Sequence, residues 1–325
     1  MRVLTDPTIA WLMEGDPSVR WQTMRDLLGA STAAVARERA RVARDGWGSR
    51  LLAEQDARGG WAVGRPGDGG LYTPKWTSTT YTMLLLRDFG LPQRSVSVRR
   101  ACKLLLDKGL RTDGGIGFGA WTRSETCVTG MVLSILSYFR LADVRLREIA
   151  AHLLRVQMGD GGWNCRRPHG ATHSSVHTTI SALEGLRWYE LFADTSRERA
   201  AVRTAQSRGR EFLLAHRLFR SHHSGRVIRP EFLRFVFPPR WHYDVLRALD
   251  YFQSVDAPRD ARLAEAVAMV QQHRQPDGRW RLEGEYRGKT YFRLETPGRP
   301  SRWNTLRALR VLRWWEGVGS AARSH

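Results

Sequence analysis

One short unit returns along this chain: a glycine-bearing turn that ends in a bulky apolar residue, then a helix that opens with small hydroxyl residues. It is fullest between Asp160 and Leu186, where Asp160-Gly-Gly-Trp163 leads to a helix with Val176, Ile180, Leu183 and Leu186 spaced by three or four. Glycine opens φ > 0 to the turn, and Thr172, Ser174 or Ser175 offers a cap to the helix. The unit recurs as Gln55–Trp61 with Pro74–Leu86, as Thr112–Ile116 with Trp121–Leu133, and as Gln275–Trp280 with Ser301–Leu309. A further copy is degenerate at Ser224-Gly225 but clear over Pro239–Leu249. Amphipathic stretches at 97–107, 143–157, 198–216 and 259–273 separate the copies. No strand-like alternation persists, so the spacing predicts an all-α chain of helical hairpins. A hairpin cannot bury its apolar face alone, so the copies must pack on one another.

Ahead of the repeats, residues 7–29 read as a helical hairpin, with Asp16-Pro17 as cap and first turn of its second helix. Residues 32–54 read as one further helix. The expected organisation is an N-terminal hairpin, 1–49, packed on the repeats of 50–325, in one structural domain. A 42% hydrophobic content with 13 tryptophans suffices for a substantial core.

The formal charge of +20 is nearly all arginine, with lysine only at 75, 103, 108 and 289. The arginines are dispersed, without a basic tail or a nucleic-acid motif, so a nucleic-acid partner is not expected. Peripheral contact with an anionic membrane stays open. No apolar run reaches membrane-spanning length, and the N-terminus lacks a signal-peptide core. Three cysteines leave at least one unpaired in a monomer, which suits a reducing cytoplasm. The oligomeric state is not legible.

Gln157-Met-Gly-Asp-Gly-Gly-Trp163 and Gln275-Pro-Asp-Gly-Arg-Trp280 resemble the Q-x-x-D-G-x-W turn of squalene–hopene cyclases and their relatives, a unit also found in the β subunits of protein prenyltransferases. The resemblance spans roughly residues 50–316. It implies an α/α toroid, with inner helices around a central cavity and outer helices around them. It also implies an isoprenoid diphosphate or similar lipid-like anion as substrate, and a prenyltransferase-like or cyclase-like reaction.

Basic residues stand at or just before the second helix of each unit: Lys75, Arg123, Arg166 with Arg167, Arg240 and Arg302. Three precede tryptophan, as Lys75-Trp76, Arg240-Trp241 and Arg302-Trp303, and Trp121 lies beside Arg123. In a closed ring these positions converge on one rim, where cations and helix N-termini suit a diphosphate. The tryptophans would line an apolar, π-rich wall for a small hydrophobic chain. The plainer alternative is that arginines are common here and the tryptophans wedge hairpins together.

The prenyltransferase resemblance also implies zinc. Glu125-Thr-Cys127 matches the family's Asp-x-Cys, with Glu125 in place of aspartate, and His177-Thr178 with Leu183-Glu-Gly-Leu186 matches its histidine segment. Glu125, Cys127 and His177 would then hold Zn²⁺ with one position open. His173 and His177, at i and i+4, form a rival set with Cys165. The Asp-x-Asp-Asp motif of class II terpene cyclases is absent, which leaves Glu125 and Asp244, with His242 nearby, as candidate catalytic groups. Two other readings stand beside the enzyme: a non-catalytic toroid binding a hydrophobic ligand or a protein, and thiol chemistry on a peptide, as in lanthionine cyclases, through Cys127, Cys165 and a histidine.

Overall fold

The computed structural model describes residues 6–62, 67–119 and 123–317. Among them the structure is helical, with isolated β-bridges and no strand. Helices α1 (Pro7–Met13) and α2 (Pro17–Asp26) make the expected hairpin, and Asp16 caps α2 by accepting from the Ser18 amide at 2.9 Å. The helix expected over 32–54 is interrupted: α3 (Thr32–Ala40) passes through a 3₁₀ turn and stops before α4 (Gly46–Ala53). The break is at Gly46, with φ of 67°, where a Cβ would stand 2.0 Å from Asp16 Oδ2. That oxygen accepts from the Trp47 amide and ties α4 to the hairpin.

The repeats supply alternating inner and outer helices. The inner ones are α5 (Thr79–Phe89), α7 (Thr126–Tyr138), α9 (Val176–Glu190), α11 (Val245–Ser254) and α13 (Arg302–Trp315), and most of their residues are buried. The outer ones are α6 (Arg99–Gly109), α8 (Arg145–Val156), α10 (Ser196–Ala215) and α12 (Ala264–Gln272), which bury one stripe each. Helix α5 packs on α7, α7 on α9, and α11 on α13. The Glu184–Arg247 ion pair joins α9 to α11. Helix α2 stands between α13 and α5, touches both, and closes the ring. The result is an α/α toroid arrangement in which part of the N-terminal hairpin is a sixth inner helix.

The recurring turn is a clamp. Its aspartate accepts from a backbone N–H two residues on: Asp56 from Arg58, Asp113 from Gly115, Asp160 from Gly162 and Asp277 from Arg279. Its tryptophan donates from the indole to the last turn of a preceding helix: Trp61 to Leu51 of α4, Trp163 to Leu153 of α8, Trp280 to Val270 of α12, at 2.7–2.8 Å. The same residue's amide donates to a threonine of the next inner helix: Thr79, Thr179 and Thr305, each at 3.0 Å, with Ile116 to Thr129 as the equivalent. The inner-helix hydroxyls therefore tie the turn to the ring. Ser174 serves this clamp, donating to Asp160, while the α9 N-cap is Ser175 without a side-chain cap bond.

Candidate site at the inner-helix heads

The N-terminal ends of α5, α7, α9 and α11 meet at one mouth of the toroid, and residues from all five repeats gather there. Lys75 and Trp76 precede α5, Glu125 is the N-cap of α7, and His177 lies in the first turn of α9. Trp241 and His242 precede α11. Tyr286 comes from the connection between the last turn and α13.

His242 is the hub. Its ring stacks on Tyr286 with centroids 3.6 Å apart and 6° between planes, and on Trp241 at 3.8 Å. Trp76 meets it edge-on at 6.1 Å and His177 at 6.0 Å. Lys75 Nζ lies among three aromatic rings, 4.9 Å from Tyr72, 5.6 Å from Trp241 and 5.9 Å from Trp76. Tyr72, Lys75, Glu125, His177, Trp241, His242 and Tyr286 are all partly exposed, so the mouth is a shallow cup.

Titration follows from this half-buried setting. Burial, then the charges of Arg247 and Arg229, pushes His177 down to about 4. Burial, then His177, Arg247 and Lys75, pushes His242 down to about 3. Both imidazoles are neutral at pH 7. Burial raises the Glu125 carboxyl above its ordinary value despite the opposing charge of Lys75.

Residues 281–300 run across the cup as a strap. Its backbone exchanges bonds with the Lys75-Trp76 segment: the Trp76 amide donates to Lys289 O at 2.7 Å, and the Lys289 amide to Lys75 O at 3.0 Å. The Trp76 indole donates to Tyr286 O and Arg287 O, both at 3.1 Å. Gly288 is required at this crossing: its φ is 154°, and a Cβ there would lie 2.5 Å from Trp76 Nε1.

Not every expected rim residue arrives. Arg123 is exposed, as are Arg166 and Arg167, and Trp121 lies outside the described residues. Arg302 turns away from the cup, stacking over Trp11 at 4.4 Å and donating to the Trp11 carbonyl. Trp303 is 1% exposed and stacks on Phe237 at 4.2 Å, a wedge in the core. At the head of α13 a protein carboxylate takes the place of an anion, since Glu295 accepts from the Arg302 amide at 2.6 Å. Arg240 is buried beneath the cup, with its guanidinium carbon 5.4 Å from the Trp76 ring centroid. Asp244 is fully buried as the N-cap of α11, accepting from the Arg247 amide at 2.7 Å, and burial raises its carboxyl.

The zinc set does not fit an ion as arranged. His177 Nδ1 accepts from the Tyr243 amide at 2.9 Å, and the ring is held among Phe232, Trp241, His242 and Tyr243. Cys127 pairs instead with Cys165, whose Sγ accepts from the Cys127 amide at 3.0 Å and from Thr178 Oγ1 at 3.4 Å. A further bond from the Cys127 thiol, together with those from Thr178 and the Cys127 amide, holds the Cys165 thiol below its ordinary range, while Cys127 is raised. The rival set fails on helix register: α9 begins at Val176, leaving the exposed His173 in the preceding loop rather than one turn before His177. Among the described residues, no three His, Cys, Asp or Glu side chains stand around one point as metal ligands.

Among the described residues, ion pairs from the inner helices meet inside the ring. Below the cup, Glu184 forms a two-pronged ion pair with Arg247 at 2.8 and 3.0 Å. Arg87 pairs with Asp88 at 2.8 Å and donates to Ser134. Arg310 pairs with Asp250 at 2.6 Å and reaches Gln22 and Asp26 of α2. All six inner helices contribute to this network. A void of about 10 Å³ lies between α5 and residues 238–240. A larger space of about 470 Å³ is an open groove on another face, between the α1–α2 turn, Trp47 and Arg302.

No family model and no curated protein matches the chain. Among solved structures, similarity is found to a protein from Actinoplanes, at 18% identity over 93% of this chain and 90% of that one, with a TM-score of 0.46. It is also found to the type II terpene cyclase MstE from Scytonema in its apo form, at 14% identity over 85% and 96%, with a TM-score of 0.33. A variant of that cyclase in complex with geranylgeranyl dihydroxybenzoate gives 14% identity over 86% and 97%, again at 0.33. Among the described residues, no helix is long and apolar enough to cross a membrane.

Proposed function

We propose that this protein binds a prenyl-bearing anion, of the isoprenoid diphosphate kind, in the cup at the inner-helix heads. The observation that carries the reading is the convergence there of side chains from all five repeats: Lys75, Trp76, Glu125, His177, Trp241, His242 and Tyr286. Lys75 supplies the cation for the anionic head. The stacked Trp241, His242 and Tyr286 rings supply an apolar, π-rich wall for the chain. Glu125, raised by its half-buried position, is the group suited to give up a proton there, so a cyclase-like or prenyltransferase-like reaction is assigned to it. Asp244 is committed to capping α11 and is given no step.

The test is titration with geranylgeranyl diphosphate, followed through tryptophan fluorescence, with geranylgeraniol as the head-free comparison. Wild type should bind the diphosphate saturably. Lys75→Gln should weaken that by about tenfold, the scale of one charge-assisted contact, and leave the alcohol unaffected. No response to either compound would end this reading.

A second reading has its own observation. Among the described residues, ion pairs from the inner helices meet inside the ring, a lining unsuited to a folded hydrocarbon. This favours a non-catalytic toroid that holds its ligand at the cup. It predicts binding by wild type without product formation, and a Glu125→Gln variant that binds as well as wild type.

A further inference from the structure

We infer that the small void on the toroid axis is a binding site for a single monatomic anion, of the chloride kind, held by Arg240. The void measures about 10 Å³, roughly the space one water or one ion of similar size needs. Arg87, Arg240 and Arg247 line it together with Tyr81 and Asp88. Two of the three arginines are matched within the ion network: Arg87 by Asp88, and Arg247 by Glu184. Arg240 is not. It is 9% exposed, no carboxylate lies within 4.0 Å of it among the described residues, and its Nη1 is buried without a hydrogen-bond partner.

A buried guanidinium with no carboxylate in contact is costly, because only the Trp76 ring and the more distant Asp88 charge offset its lost hydration. Burial does push Arg240 down, to about 10, but that leaves it charged at pH 7. The side chain is also held inward by the backbone. Arg240 has φ of 58°, the left-handed region that a non-glycine residue adopts only where its surroundings impose it. Trp76 lies over the guanidinium and separates it from the cup. Tyr81 lines the same void, with its buried hydroxyl engaged by Tyr72. An unpartnered guanidinium N–H beside one atom-sized space makes a site for a halide. A polyatomic anion such as phosphate is too large for it.

The site is independent of the ligand proposed for the cup, and its test does not use that ligand. Melting temperatures are measured in sodium chloride and in sodium gluconate at equal ionic strength, and crystals are soaked in sodium bromide. Chloride should raise the melting temperature of wild type along a saturating curve, as mass action requires. Arg240→Met should respond to the two salts alike. Bromide should give an anomalous peak within hydrogen-bond distance of Arg240 Nη1. Identical melting in both salts with no bromide peak at Arg240 would overturn the site and assign the void to water. A chloride effect that persists in Arg240→Met would place halide binding elsewhere. The bromide measurement stands even if Arg240→Met fails to fold.

Discussion

Glu184→Gln should cost about 3 kcal/mol of stability at pH 7, within the range for breaking a buried ion pair from one side. The carboxylate serves two cations at once, bonded to Arg247 through both oxygens and 3.6 Å from Arg87. Removing its charge leaves both guanidiniums with one counter-charge fewer in the middle of the ring. Burial alone would raise the Glu184 carboxyl, but the two arginines outweigh it and hold it below its ordinary value. The sign of the pH dependence follows. A depressed carboxyl stabilises the fold above its unfolded value of about 4.3. That contribution fades as pH falls through the folded value. Urea midpoints of wild type and Glu184→Gln should therefore differ most at neutral pH and draw together below about pH 4. A constant difference across that range would show that packing, not charge, is lost in the variant.

Gly185→Val should be worse, costing about 4 kcal/mol or more. Helices α7 and α9 touch through reciprocal glycines: a Cβ on Gly185 would stand 2.6 Å from Gly130 O, and one on Gly130 would stand 2.4 Å from Ser181 O. The obstacle in each case is backbone, which cannot rotate aside, so the helices must separate and every side chain between them loses contact. Thermal unfolding should show the melting temperature lower by about 6 °C or more. Gly159→Ala is the control, since nothing lies within 4 Å of its Cβ position and its φ is not positive. It should change stability by less than about 0.5 kcal/mol. Equal effects from the two substitutions would mean that the α7–α9 contact is not set by its glycines.

The hairpins and their turns were legible because each signal is local. Glycine, aspartate and tryptophan lie within a few residues of one another, and the clamp they form closes within 10 to 25 residues. The rim was only half legible. Arg240-Trp241 and Arg302-Trp303 look alike in sequence but end in different places. Arg302 is the first residue of its helix, which aims it outward at Trp11, and puts Trp303 into the core. Arg240 lies in the left-handed region five residues before its helix, which turns it inward. Tyr286 and Tyr72 carried no signal, since their partners are Trp76 and His242 for one and Lys75 for the other, and most of these are distant in sequence. The axial ion pairs were hidden for a related reason. A charged residue on an amphipathic helix reads as solvated, and only closure of the ring makes that face an interior.

That closure also orders events in time. Helix α2 leaves the ribosome long before its partner α13. Trp21 can settle early, donating to the Phe89 carbonyl at 2.8 Å once α5 exists. The opposite flank of α2 cannot. Gln22, Asp26 and the carbonyl of Leu27 wait for Arg310 and Arg313, nearly 290 residues downstream. At a synthesis rate of about 5–20 residues per second, that wait lasts on the order of 15–60 seconds. Through it the nascent protein is an open arc, in which the flank of α2 that faces Arg310 and Arg313 stays uncovered.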